Sequence, residues 1–261
     1  MKQTTYYRFT WLSVLLVGLL VLSACKKEEA TGCSPYVPPT PADTYVFPVQ
    51  PGTPAWASLT SGDEMVEVCQ VPAARLQTIS TPGLITTCLN YPLLGDMIFF
   101  DNLQFGLRTQ LSNFNGFGEL QQRPEAAALL LARYQSMRPA CIPSTEPVEI
   151  GDYAFDFSDI EMILAQDEYL QQLSPAQRRM LVQVALEKYA AKQVLVEDVY
   201  GLFGLKTAAF VMARTMQAEN YAPFMTALAA DTKLKMFVEQ VDLSSDPTVL
   251  DTVVDHAKQF N

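Results

Sequence analysis

Histidine is almost missing from this chain: His256 is the single one in 261 residues. That scarcity removes His-Glu-x-x-His zinc chemistry and any metal centre built from several imidazoles. No two of the five cysteines are spaced Cys-x-x-Cys, so a zinc ribbon or a thioredoxin-like redox pair is not expected either. A Gly-x-Ser-x-Gly elbow is absent, and Asn115-Gly116-Phe117-Gly118 follows no strand pattern and lacks the lysine of a phosphate-binding loop. No catalytic residue, cofactor or metal ligand is therefore assigned. Basic residues are also short, 18 against 28 acidic, for a net charge of −10. Nucleic-acid binding releases counterions through a basic footprint that this composition lacks.

What is present begins at the N-terminus. Lys2 and Arg8 precede an uncharged run that reaches Leu22-Ser23-Ala24-Cys25 before Lys26 ends it. Basic residues, an apolar stretch from Trp11 to Leu22 and two small residues make a secretory leader with a cleavage site. The small-small-Cys ending resembles the lipobox of bacterial lipoproteins. That resemblance implies removal of residues 1–24 and a mature chain held in a membrane by acyl groups on Cys25. Phe9 to Ala24 is nearly long enough to span a bilayer, but an uncleaved anchor has no need of that ending.

After Cys25 comes Lys26-Lys27-Glu28-Glu29. A lysine rather than an aspartate after the lipidated position resembles lipoproteins released to the outer membrane. Lys27, Glu28 and Glu29 resemble the short export signal of surface lipoproteins in Bacteroidota-type envelopes. Loss of Lys2 and Arg8 takes the mature charge to −12, so the lipid and not electrostatics is expected to hold the chain on a membrane. Four cysteines then remain, Cys33, Cys69, Cys88 and Cys141. Outside the cytosol they can pair in three ways, or Cys88 can stay a buried thiol in its apolar stretch.

Prolines at 35, 38, 39, 41, 48, 51 and 54 predict an extended tether over 25–55, with the apolar Tyr45-Val46-Phe47-Pro48-Val49 lying along the folded body. Beyond it, Thr81-Pro82 opens a helix carrying Ile85, Cys88 and Leu89. Leu103, Leu107 and Leu111 form a stripe, and Leu130, Tyr134 and Met137 share a face behind Pro124. Asn113-Phe114-Asn115-Gly116 reads as a turn between them. Ser174-Pro175-Ala176-Gln177 is a capping box leading into Val182, Ala185, Leu186 and Tyr189. Equivalent stripes follow at Leu205 to Met212, Tyr221 to Leu228, Leu234 to Val241 and Leu250 to Ala257. Alternating strand patterns are nearly absent.

The expected fold is all-α: an irregular array of short antiparallel helices, α-solenoid-like without a literal repeat, or two packed helical bundles. The divisions are a leader (1–24), a lipidated tether (25–55), an N-terminal helical region (56–142), a connector (143–155) and a C-terminal helical region (156–261). Ser80-Thr81-Pro82 to Tyr91-Pro92, with Asn113 to Phe117, resembles uncharacterised Bacteroidota-type lipoproteins over the first half of the body. That likeness implies an envelope location and a helical domain, and it carries no functional residues.

Two clusters are weighed for chemistry. Asp152, Asp156, Asp159 and Glu161 match no calcium-loop spacing and are expected in the first turn of a helix near Phe157, where the dipole favours acids. His256, with Val249, Val253 and Phe260 at helical spacing, reads as a packed side chain. The leading function is a lipid-anchored outer-membrane lipoprotein, exposed on the cell surface if Lys27, Glu28 and Glu29 direct export, that acts as a binding or scaffold module with a protein partner in the envelope. An accessory subunit of an outer-membrane complex is second, and a hydrolase working through carboxylates is third.

Overall fold

The computed structural model describes residues 33–242 and 246–260. The leader 1–24, the lipidation site Cys25 and the export residues Lys27, Glu28 and Glu29 lie outside the described residues. Every regular element among the described residues is helical.

Three short turns come first: α1 (Pro54–Ala57), α2 (Gly62–Val68) and α3 (Ala73–Leu76). They are followed by α4 (Thr81–Leu89), a 3-10 segment over Leu94–Phe99, α5 (Leu103–Asn113), α6 (Asn115–Leu120) and α7 (Ala126–Ser136). The longer helices are α8 (Pro147–Leu164), α10 (Pro175–Val194) and α11 (Gly201–Ala218), with the single turn α9 (Asp167–Leu170) after α8. A π turn over Val196–Tyr200 joins α10 to α11, and α12 (Ala222–Ala230), α13 (Thr232–Gln240) and α14 (Thr248–Gln259) complete the chain.

Caps set many of these starts. Ser174 Oγ accepts from the Gln177 amide at 3.3 Å while the Gln177 side chain accepts from the Ser174 amide at 2.9 Å, the reciprocal box that satisfies two orphan donors of α10. Asp231 accepts from the amides of Lys233 and Leu234 at the head of α13, and Asn102 from that of Phe105 at the head of α5. For α4 the cap is Ser80, one residue before the expected Thr81, with Pro82 in the first turn. Asn115 to Gly118 belong to α6 rather than to a turn, and Phe114 alone joins α5 to α6. Gly116 is required there, because a Cβ would meet the Phe114 ring.

The C-terminal stripes all turn inward. Leu205, Ala208, Ala209 and Met212 are buried, as are Leu234, Phe237, Val238, Val241, Leu250, Val253, Val254 and Ala257. Helix α11 is apolar almost all round and packs against α8, α10, α13 and α14, so it forms the centre of this half. In the other half Leu103, Leu107 and Leu111 join a ring cluster in which Tyr91 stacks on Phe114 at 4.5 Å.

Two boundaries differ from expectation. Residues 147–155 of the expected connector are the first turns of α8, because Pro147 suits a helix's first position and Tyr153 and Phe157 give the helix a buried face. Residues Pro35–Asn261 form one compact unit, so the proline-rich stretch from Pro35 belongs to the body. Phe47 is buried against Tyr45, Tyr91 and Phe114, as the apolar second half of the stretch predicts. Cys33 and Cys141 are disulfide-bonded, whereas Cys69 and Cys88 are free and buried.

Candidate functional site

The side chains with most chemical potential meet where α8, α10, α11 and α7 converge. Lys192 Nζ of α10 donates to Glu161 Oε1 and Oε2 of α8 at 2.7 and 2.8 Å, and to the Gly204 carbonyl at 3.1 Å. The Tyr134 hydroxyl donates to Glu161 Oε1 at 2.6 Å, and the Thr207 hydroxyl to Oε2 at 2.6 Å. Both members of the ion pair have no solvent exposure. The Phe157 and Tyr200 rings stand 5.1 and 5.6 Å from the ammonium, close enough for cation–π attraction. Burial lowers the Lys192 pKa from its ordinary value while Glu161 opposes the shift, and burial first, then Glu161, raises that of Tyr134.

Such a cluster looks catalytic by inventory, but each carboxylate oxygen is engaged twice and every member is shut away from solvent. It works as a polar pin through four helices. Sequence reasoning placed Glu161 with the acids and missed Lys192, Tyr134 and Thr207 as its partners. One signal was available: Lys188 and Lys192 fall at i+3 and i+7 from Ala185, on the same buried stripe of α10.

The other acids lie in the middle of α8 and not in its first turn, since the helix begins ten residues before Phe157. Asp152, Asp156 and Asp159 climb one face at i, i+4 and i+7, so they do not oppose one another across a cleft. Burial raises the Asp156 carboxyl, with Arg133 opposing and Asp152 adding to the rise. Burial, assisted by Asp156, pushes the Asp159 carboxyl up to about 8, and its Oδ1 has no hydrogen-bond partner among the described residues. Among the described residues no group of three or more His, Cys, Asp or Glu side chains is placed to hold a metal ion.

His256 sits on α14 beside the buried Val249, Val253 and Phe260, half-buried and edge-on to the Phe224 ring at 5.7 Å. Its Nδ1 is buried and has no hydrogen-bond partner among the described residues.

An open cleft of about 760 Å³ lies between the proline-rich segment, the turn at Asn90 and Pro92 after α4, and Asp152 of α8. Tyr45, Phe47, Gln50, Asn90 and Asp152 border it, a ring-and-amide lining of a size that small ligands occupy. The segment is fixed there by its own bonds: Asp43 accepts from the Ser80 amide at 2.7 Å, and the Tyr45 amide donates to Thr87 Oγ1 at 3.0 Å. Among the described residues no helix is long and apolar enough to cross a membrane. Compared with family models, curated proteins and solved structures, the chain matches none of them.

Proposed function

We propose that this protein is a lipid-anchored lipoprotein of the bacterial outer membrane whose helical body acts as a binding or scaffold module in the envelope. The observation that carries the reading is Leu22-Ser23-Ala24-Cys25 behind its basic and apolar leader. The body supports it in a second way. Its concentrated polar chemistry is spent internally at Glu161 and Lys192, which leaves the cleft beside Tyr45 and the outer helix faces as the parts open to partners.

Cys25→Ser tests the anchor: a tagged fatty acid fed to cells should label the wild-type chain and not the variant, and equal labelling would refute acylation at Cys25. Orientation is tested with protease added to intact cells. Digestion of the wild type and protection of a chain with Lys27, Glu28 and Glu29 all changed to alanine supports surface export; equal protection of both refutes it.

A further inference from the structure

A mostly apolar groove of about 250 Å³ runs between the proline-rich segment, α4 and α7. Tyr36 and Pro39 of the segment, Ile85 of α4 and Leu129 of α7 line it, and so does one cation, Arg133 of α7. It shares no lining residue with the cleft beside Tyr45. Thr86 and Ser136, also on its wall, are already engaged: the Thr86 hydroxyl donates to the Pro39 carbonyl at 3.4 Å and that of Ser136 to the Ala132 carbonyl at 3.0 Å. Arg133 is different. It is half-buried, yet among the described residues its guanidinium makes no hydrogen bond and no ion pair. The Tyr36 hydroxyl, within electrostatic reach of it, has no hydrogen-bond partner among the described residues either.

An arginine drawn out of solvent is ordinarily paired, because burying a charge without a partner is costly. Asp156 of α8 acts on Arg133 only from beyond ion-pair range; burial lowers the pKa of the guanidinium, with Tyr36 and then Asp156 opposing. Two donors and one positive charge are therefore left over in the wall of an apolar groove. Apolar walls with a few placed polar groups are the composition of a small-ligand site.

The charge narrows the ligand's class. One cation balances one anion, and a phosphate would add a second negative charge near Asp156 with nothing to offset it. A carboxylate has two oxygens for the two donors, and guanidinium–carboxylate bonds are among the strongest that side chains make. Pro39, Ile85 and Leu129 offer no hydrogen-bonding side chain, so the rest of the ligand is hydrocarbon. The groove is smaller than the roughly 300 Å³ at which drug-sized sites begin, which suits a chain of about eight carbons.

We propose that this groove binds an aliphatic monocarboxylate, a medium-chain fatty acid, with its carboxylate on Arg133 and Tyr36 and its chain along Ile85 and Leu129. The site supplies a ligand class for a binding module but depends on neither the lipid anchor nor the Tyr45 cleft, so the failure of one leaves the others standing.

The test uses the full-length chain in phosphatidylcholine nanodiscs and an octanoate that carries a diazirine near its tail, kept below saturation. After irradiation, adducts should map by mass spectrometry to residues 36–39, 82–86 and 129–136, and plain octanoate should compete them away. Hexanoate should need roughly tenfold more, since each methylene is worth about fourfold. Octanol and octylamine, which lack the anion, should each need at least about tenfold more than octanoate. Arg133→Gln should lower the adduct yield at least about tenfold, whereas Arg138→Gln, at an exposed arginine just past α7, should leave it unchanged, with circular dichroism showing both variants folded. Adducts absent from these residues, octanol competing as well as octanoate, or a yield indifferent to Arg133→Gln would each overturn the proposal. The octanol comparison is made on the wild-type chain, so it decides the matter even where the variant fails to fold.

Discussion

Lys192→Met removes the cation that compensates Glu161 and leaves a side chain of similar length in its place. Glu161 would keep the Tyr134 and Thr207 hydroxyls, each at 2.6 Å, but lose both short bonds to the ammonium. A carboxylate left buried without its counter-charge costs about 3–5 kcal/mol. Against a total of roughly 5–15 kcal/mol for a folded domain, that is a large fraction. At about 2–4 °C per kcal/mol for a chain of this size, the melting temperature should fall by on the order of 10 °C. Glu161→Gln together with Lys192→Met should recover most of the loss, because a neutral amide still accepts from Tyr134 and no longer needs a cation. Urea unfolding of wild type, both single variants and the double variant measures the coupling. A Lys192→Met cost below about 1 kcal/mol, or a double variant as unstable as the two single losses added, would refute the view that this buried pair is mutually compensating.

Asp159 gives a pH dependence. Its folded-state pKa of about 8 lies above the ordinary 3.8, so its contribution is full below pH 4 and is lost as pH rises to 8. Asp159→Asn should flatten that decline, by up to about 1.4 kcal/mol per pH unit, in urea midpoints measured across the range; parallel curves would count against it. Gly106→Ala should cost at least about 1–3 kcal/mol, since the new Cβ would run into the Met97 carbonyl, whereas Gly151→Ala, with open space around it inside α8, should gain about 0.5–1 kcal/mol. Thermal melts of the pair check both signs. Phe47→Ala should lose about 3–5 kcal/mol in urea unfolding, because the ring is buried among three others.

The helices that declared themselves in the sequence are those whose apolar positions recur without interruption at helical spacing. In α13 and α14 a buried stripe alternates with charges, and the period alone locates them. Helix α8 hid because five acids between Glu149 and Glu161 interrupt its apolar positions, and one of them, Glu161, points inward to a lysine 31 residues away. No local pattern encodes that distance. Two exposed rings were equally silent: Phe99 and Phe105 are the kind of residue that sequence reasoning assigns to a core, and only the packing of the 3-10 segment against α5 leaves them outside. His256 was legible because its neighbours at helical spacing are apolar. The role of Cys25 and the residues after it rests on sequence alone.

The proline-rich segment shows how one composition supports two structures. Prolines remove backbone donors, which is why residues 25–55 read as a tether with nothing to pair to. The same loss lets the part from Pro35 lie against α4 without a partner strand, since few amides need satisfying. Those that remain are met by side chains: Thr87 takes the Tyr45 amide, Asp43 takes the Ser80 amide from the other direction, and Arg75 holds the Asp43 carbonyl at 3.0 Å. Phe47 then secures the end in the core.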